Sequence, residues 1–182
     1  QLFIVGSDGR GTAYGILELS RLAGVSPWVW WSDVTPEKRS QLTIDGNYKT
    51  FQSPSVEYRG IFLNDEDWSL QPWSWMTFEP SNIKGRIGPR TYKEIFKLLL
   101  RLRANAIWPG MHGITTPFYL VPGAKEVADS CGIAIGTSHC EPLMRSNVGE
   151  WSVKRRGDYN YITNRDSVQA YWIERLKEAG KY

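Results

Sequence analysis

The chain has 182 residues, of which 41% are apolar and 23% are charged, and its formal net charge is +3. This composition is typical of a globular protein and excludes an intrinsically disordered chain. The mild charge, with no basic stripe, argues against a nucleic acid partner, and no apolar run approaches the roughly 20 residues that span a membrane. The chain opens directly on an apolar stretch without Met, so we expect it to be a segment of a longer protein.

The first predicted elements are a short buried strand over Leu2–Val5, a glycine-rich turn over residues 6–11 and a helix over Thr12–Leu22. The glycine spacing departs from the dinucleotide-binding fingerprint, so it favours a structural turn over a nucleotide site. A third possibility is that Asp8 and Arg10 face a neighbouring active site. The stretch from Thr35 to Ser53 lacks sustained periodicity and is typical of a linker or a short hairpin.

Three units, each with an apolar strand, a long loop and a helix, are predicted from residue 55 onward. The predicted strands are 58–63, 106–108 and 133–136, and the predicted helices are 89–103, 124–131 and 166–179, the last with a capping box at Thr163 and Asp166. Strands of this kind are typical of a parallel sheet covered by helices. Because every long loop follows a strand, the pattern favours a (βα)8 barrel, with a doubly wound open sheet as the alternative. A whole barrel takes about 250 residues, so three units would form only its first part.

Cysteine and aromatic residues leave two further questions open. Cys131 and Cys140 flank the third predicted strand, too far apart along an extended chain for a mutual disulfide. The sequence has nine Trp, nine Tyr and six Phe, and many of the indoles lie in predicted loops. Such indoles either stack on sugar rings or pack against one another, and the sequence gives the two possibilities similar weight.

Ionisable residues follow the end of each predicted strand. They are Asp65 and Glu66 after the first, His112 after the second, and His139 and Glu141 after the third. Neighbouring parallel strands lie about 4.8 Å apart, so we expect these side chains to gather at one edge of the sheet. The alternation of side chains places Asn64 and Glu66 on the side opposite Asp65, so only some of them can face a common pocket.

Three kinds of chemistry fit such a set. Two carboxylates at strand ends suit glycoside hydrolysis, with inversion when they lie about 6.5–9.5 Å apart and retention at about 5 Å. His112, His139 and Glu141 could instead bind zinc, although no tight ligand motif is present. A Cys140–His dyad is the third possibility, but the alternation of side chains turns this thiol away from the pocket.

Five stretches of the sequence together resemble glycoside hydrolase family 115. They are Arg10–Gly15, Gly24–Val34, Tyr58–Trp68, Ala104–His112 and Gly136–Pro142, in this order along nearly the whole chain. Members of that family are xylan α-1,2-glucuronidases, which remove (4-O-methyl-)glucuronic acid side chains from xylan with inversion. The resemblance implies a secreted hydrolase that acts on xylan and requires no metal or organic cofactor.

The resemblance also implies a division of the chain and a set of site residues. Residues 1–45 would be the end of an N-terminal α/β domain, 46–54 a linker, and 55–182 the first three βα units of the catalytic barrel. Asp65 and Glu141 are the candidate catalytic carboxylates. The candidate substrate-binding residues are Asn64, Glu66, Trp108, His112, His139, Arg145 and Arg10, with either arginine as the cation for the glucuronate carboxylate.

Overall fold

The computed structural model describes residues 1–65, 68–138 and 142–182, which form an α/β arrangement around a small sheet. The strands are β1 (Gly60–Leu63), β2 (Ala106–Pro109) and β3 (Ala134–Ile135). The helices are α1 (Gly9–Leu22), α2 (Leu70–Trp73), α3 (Pro89–Arg101), α4 (Ala124–Ser130), α5 (Asn147–Glu150), α6 (Val153–Arg156) and α7 (Arg165–Ala179). A π-helical turn over Ser74–Phe78 and 3-10 turns over Phe118–Leu120 and Pro142–Met144 complete the described part. No helix within it is both long and apolar enough to cross a membrane.

The three strands are parallel and lie in the order β1-β2-β3, as the sequence predicts. Ile61 is paired with Ile107, which is paired in turn with Ile135. Gly60 allows the close approach at the start of β1, because a Cβ there would lie 3.0 Å from the Cβ of Ala106 and nearer still to its carbonyl. Since the strands run in one direction, the residues that follow all three strands emerge at the same edge, which we call the carboxyl edge.

The two faces of this sheet differ in how far helices pack against them. One face carries Ile107, which is fully buried against α3 and α4 in a core that includes Phe96 and Leu99. Complete burial of a side chain such as Phe96 stabilises the fold by about 1.5–3 kcal/mol. On the opposite face Phe62 and Trp108 are 46% and 40% exposed. Helices therefore cover one face of the sheet in the described part of the chain.

Helix α1 lies at the amino ends of the strands, opposite the carboxyl edge. The Tyr14 hydroxyl donates to the carbonyl of Ala104, just before β2, at 3.1 Å. The Arg103 guanidinium, also just before β2, donates to the Glu18 carboxylate, which is nearly buried. These contacts attach the N-terminal part of the chain to the base of the sheet.

Several sequence-based boundaries need correction. Leu2–Val5 forms no strand, and Phe3 and Val5 are 77% and 90% exposed. Helix α1 begins at Gly9 instead of residue 12, because the Asp8 carboxylate accepts from the Gly11 backbone N–H at 2.6 Å and caps it. The predicted capping box before α7 is wrong, since Asn164 holds the N-cap position without a side-chain cap.

The predicted linker and Cys131 lie outside the helices and strands. Residues 46–54 contain no helix or strand, while the division of the chain into domains remains a prediction. The Cys131 thiol is free and half-buried, whereas Cys140 lies outside the described residues.

Candidate active site

A buried carboxylate and a histidine meet at the carboxyl edge. The Asp65 Oδ1 atom lies 2.7 Å from His112 Nε2, and the Thr115 hydroxyl lies 3.3 Å from both of these atoms. The Asp65 side chain is fully buried, whereas that of His112 is 31% exposed. The histidine therefore presents the accessible part of this cluster, and Asp65 is the acceptor behind it.

Gly110 creates the space that the Asp65 carboxylate occupies. A Cβ at this position would lie 2.6 Å from Asp65 Cγ and closer still to Oδ1, a separation that no ordinary packing permits. The residue after β2 must therefore be glycine if the carboxylate is to keep its position. Gly110 and Thr115 were both missed by reasoning from the sequence; their only sequence signal is that they stand in the same loop as His112.

The electrostatics of Asp65 are dominated by its burial. Burial raises the pKa of Asp65 above its ordinary value, and the nearby His112 ring and Thr115 hydroxyl counteract part of this effect. Its second oxygen, Oδ2, is buried without a hydrogen-bond partner among the described residues. Burial and then the Asp65 charge raise the pKa of Tyr92, in α3, well above its ordinary value. Leu63, two residues earlier, packs against the core that α3 contributes to, so the alternation of side chains places Asp65 on that same side of the sheet.

The alternation expected from the sequence is visible at the end of β1. Asn64 is exposed and Asp65 is buried, so the two side chains face different environments. Trp108 lies in β2, and its ring packs over Gly136, where a Cβ would lie 3.2 Å from the indole Cγ and nearer still to Cδ1. Asn64 and Trp108 are thus the described candidates that remain accessible from the uncovered face.

Hydrogen bonds connect the loop after β1 to the loop that carries His112. The buried Gln71 side chain donates from Nε2 to the Ile114 carbonyl at 2.8 Å and accepts from Trp75 Nε1 at 3.2 Å. The Thr116 backbone N–H donates to the Gly85 carbonyl at 2.9 Å. These bonds hold the two loops as one framework around the Asp65–His112–Thr115 cluster.

Arg145 does not fit the role of cation for a substrate carboxylate. Its Nε donates to the Tyr171 carbonyl at 2.9 Å, and its terminal nitrogens lie 2.8 Å from Glu150 and 3.0 Å from Glu174. The guanidinium also stacks 3.9 Å from the centre of the Tyr171 ring. With these donors satisfied inside the protein, Arg145 anchors the segment after β3 to α7.

Arg175 extends this ion-pair network from α7. It is almost fully buried, donates to the Met144 carbonyl, and lies 2.5 Å from Glu150 and 3.0 Å from Glu178. Two arginines thus share the Glu150 carboxylate, whose side chain is 3% exposed. This network fixes the 3-10 turn at Met144, which has a positive φ of 56°.

Arg10 lies at the wrong end of the sheet for the role that the sequence suggested. Its Nη1 donates to the Gly132 carbonyl at 3.0 Å, and Gly132 precedes β3 at the amino ends of the strands. Asp8 caps α1 at the same end, so the structure brings neither Asp8 nor Arg10 to the Asp65–His112–Thr115 cluster. The contacts of Arg10 are those of a structural residue.

The remaining candidates, Glu66, His139 and Glu141, lie outside the described residues, and their roles stay predictions. The zinc hypothesis depends on two of them. Within residues 1–65, 68–138 and 142–182, no group of three or more His, Cys, Asp or Glu side chains is arranged to hold a metal ion.

Most loop indoles pack against other aromatic rings. Trp73 stacks on Phe78 with ring centres 4.9 Å apart, and both contact Trp30 edge-on. Trp151 packs edge-on against Tyr171 at 5.0 Å. Trp68 differs, since it is 86% exposed just beyond the end of β1. Of the two possibilities that the sequence left open, mutual packing accounts for these clustered rings.

Comparison with known proteins places this arrangement in a class of carbohydrate-active proteins. Residues 51–182 match the model of glycosyl hydrolase family 115. A solved structure described as a novel family GH115 4-O-methyl-α-glucuronidase, BtGH115A, with specificity for decorated arabinogalactans is 58% identical in sequence, with a TM-score of 0.90. No curated protein matches the chain.

The match covers 95% of this chain and 23% of the chain of that structure. The present sequence therefore spans about a quarter of that relative. Because the family model matches well over half of its residues, the chain belongs to glycosyl hydrolase family 115. The resemblance noted from the five sequence stretches is confirmed.

Proposed function

We propose that this chain supplies part of the active site of a glycoside hydrolase that removes (4-O-methyl-)glucuronic acid side chains from a plant polysaccharide. The observation that carries the proposal is the buried Asp65 carboxylate bound to His112 at 2.7 Å, at the carboxyl edge of parallel strands. Active sites lie at this edge in barrels and in open α/β sheets alike. The three βα units would be the first three of a (βα)8 barrel whose interior the uncovered face would line.

In this proposal Asp65 acts through His112 and does not touch the sugar. A fully buried carboxylate cannot reach a substrate, but an ionised one accepts the Nε2 proton and so fixes the orientation of the ring. His112 Nδ1, which has no hydrogen-bond partner among the described residues, would then bind a sugar hydroxyl. Inverting hydrolysis also needs a general acid and a general base, and Glu141 is the candidate from this chain for one of these roles.

Two polysaccharides are candidates for the substrate. The family resemblance implies glucuronoxylan. The 58% identical relative is described as specific for decorated arabinogalactans, and this identity favours a glucuronate-bearing arabinogalactan as the second candidate. Both are extracellular polymers, so we propose that the enzyme is secreted.

The Asp65→Asn variant of the full-length enzyme tests the proposal. The substituted amide keeps the shape and an acceptor but lacks the charge, so we expect release of glucuronic acid to fall by about 10–100-fold while the fold is retained. Asp129→Asn, at an exposed acid on α4, is the matched control and should change turnover little. Released glucuronic acid is measured by chromatography after digestion of each polymer, and the fold is checked by circular dichroism.

A double-mutant cycle that combines Asp65→Asn with His112→Gln tests whether Asp65 affects turnover through His112. If Asp65 acts through His112, the double variant should be no slower than the slower single variant. Fully additive losses would show that the two residues act separately. Near-normal turnover of Asp65→Asn would remove Asp65 from the site. If the unsubstituted protein binds these polymers but releases no glucuronic acid, it is a binding module and not a hydrolase.

A further inference from the structure

The loop between β1 and α3 forms an open groove, and none of the candidate substrate-binding residues that the structure describes lines it. The groove has a volume of about 670 Å³ and is lined by Trp75, Met76, Asn82, Arg86 and the turn around Pro80. Ligand sites in proteins typically measure about 300–1,000 Å³. The groove is therefore large enough for one or more sugar residues.

Arg86 is the unusual member of this groove. Of the described residues that line it, Arg86 alone is charged. Its Nε is buried and has no hydrogen-bond partner among the described residues. Leaving a buried donor without a partner is unfavourable, and the buried arginines Arg145 and Arg175 satisfy their donors with carboxylates and carbonyls. Because no carboxylate of the described residues pairs with Arg86, its positive charge at the wall of the groove favours an anionic ligand.

The walls of the groove belong to the framework of the candidate active site. Trp75 Nε1 donates to Gln71, and Gln71 donates to the Ile114 carbonyl in the loop of His112. Gly85, next to Arg86, accepts from the Thr116 backbone N–H in the same loop. Two separate hydrogen-bonded connections thus join the groove to the segment that holds His112 and Thr115.

We propose that this groove is a subsite for the acidic polysaccharide, in which Arg86 binds the carboxylate of a uronic acid other than the one being released. The guanidinium fork matches a carboxylate with two parallel hydrogen bonds. Trp75 and Met76 give the groove an apolar wall for the C–H faces of the sugar ring. This inference rests on the proposed function, since it names a further part of the same substrate.

The Arg86→Gln variant of the full-length enzyme tests the subsite by comparing two substrates. One is glucuronoxylan or a glucuronate-decorated arabinogalactan, and the other is a small aryl glucuronide that carries a single uronic acid. We expect the ratio of kcat/KM for the polymer to that for the small substrate to fall about tenfold, through the KM for the polymer. That change corresponds to about 1.4 kcal/mol. Arg86→Lys should restore part of the ratio, because it keeps the charge without the fork.

Lys84→Gln is the matched control, because Lys84 is an exposed cation two residues away that does not line the groove. Its ratio should equal that of the unsubstituted enzyme. An unchanged ratio in Arg86→Gln would overturn the subsite, and so would an equal loss on both substrates, which would place Arg86 in the pocket of the departing sugar. An equal fall of the ratio in Lys84→Gln would also overturn it, since the effect would then be one of general charge.

A binding measurement separates failure of the subsite from failure of the proposed function. If the unsubstituted enzyme releases no glucuronic acid from any substrate, the proposed function fails. Affinity electrophoresis in gels that contain glucuronoxylan, with undecorated arabinoxylan as the uncharged comparison, still tests the groove. Weaker retention of Arg86→Gln in the charged polymer alone supports it, and equal retention of both proteins overturns it.

Discussion

Replacement of Gly110 by alanine is the most direct test of how the Asp65 carboxylate is held. The new Cβ would lie 2.6 Å from Asp65 Cγ, and the carboxylate has no free space because it is fully buried. Overpacking of a tight site costs about 1–3 kcal/mol, and loss of the hydrogen bond to His112 adds about 1.5–3 kcal/mol because one partner is charged. We therefore expect local destabilisation of about 3–5 kcal/mol together with loss of activity.

Hydrogen–deuterium exchange of the full-length protein, followed in peptides that cover Ala106–Pro109, measures this change locally. A factor of ten in the opening equilibrium corresponds to about 1.4 kcal/mol, so exchange should accelerate at least about a hundredfold. Gly113→Ala in the same loop is the control, because its Cβ meets only the exposed Val148 side chain at 3.3 Å. Equal exchange rates in Gly110→Ala and the unsubstituted protein would refute the packing argument.

Two further predictions concern the ion pairs at the opposite ends of the sheet. The hydrogen bond from Arg21 is the largest cause that lowers the pKa of Glu18 from 4.5 to about 2. The stabilisation by the ionised Glu18 carboxylate should therefore be complete above pH 4.5 and be lost as the pH falls toward 2. Acid unfolding of Glu18→Gln should lack this component, and an unchanged acid profile would contradict the assignment. Arg175→Met should destabilise the protein by about 3–5 kcal/mol because Glu150 loses one of its two cations while it remains buried, whereas the exposed Lys177→Met should leave the thermal midpoint nearly unchanged.

The parallel sheet was predictable because its signal is local and repeated. Each strand is a short apolar run, and each is followed by a long loop and a helix. The predicted parallel direction is confirmed, and the strands lie in their sequence order β1, β2 and β3. The same reasoning brought Asp65 and His112 together, because the carboxyl ends of neighbouring parallel strands must meet. The barrel itself remains a proposal, since three strands are common to several α/β architectures.

Residue roles were harder to predict because they depend on partners distant in sequence. Arg145 was a reasonable cation for a substrate, but Glu150, Glu174 and the Tyr171 carbonyl satisfy it within the protein. Arg10 lies at the amino ends of the strands because of a contact 122 residues away along the chain. Leu2–Val5 is apolar but finds no strand to pair with in the described structure. In each case the sequence shows the chemistry of the residue but does not show which residues lie next to it in the fold.

The order of the strands also bears on how the chain folds. Each strand pairs with the next strand along the sequence, and α3 and α4 cover the sheet from the same units that supply the strands. Each pairing, such as that of Gly60 with Ala106, closes a loop that lies within a single unit, so no pairing has to wait for a distant part of the chain. A ribosome that releases this chain would therefore expose one complete strand-and-helix unit at a time, each ready to dock on its predecessor before the following one emerges.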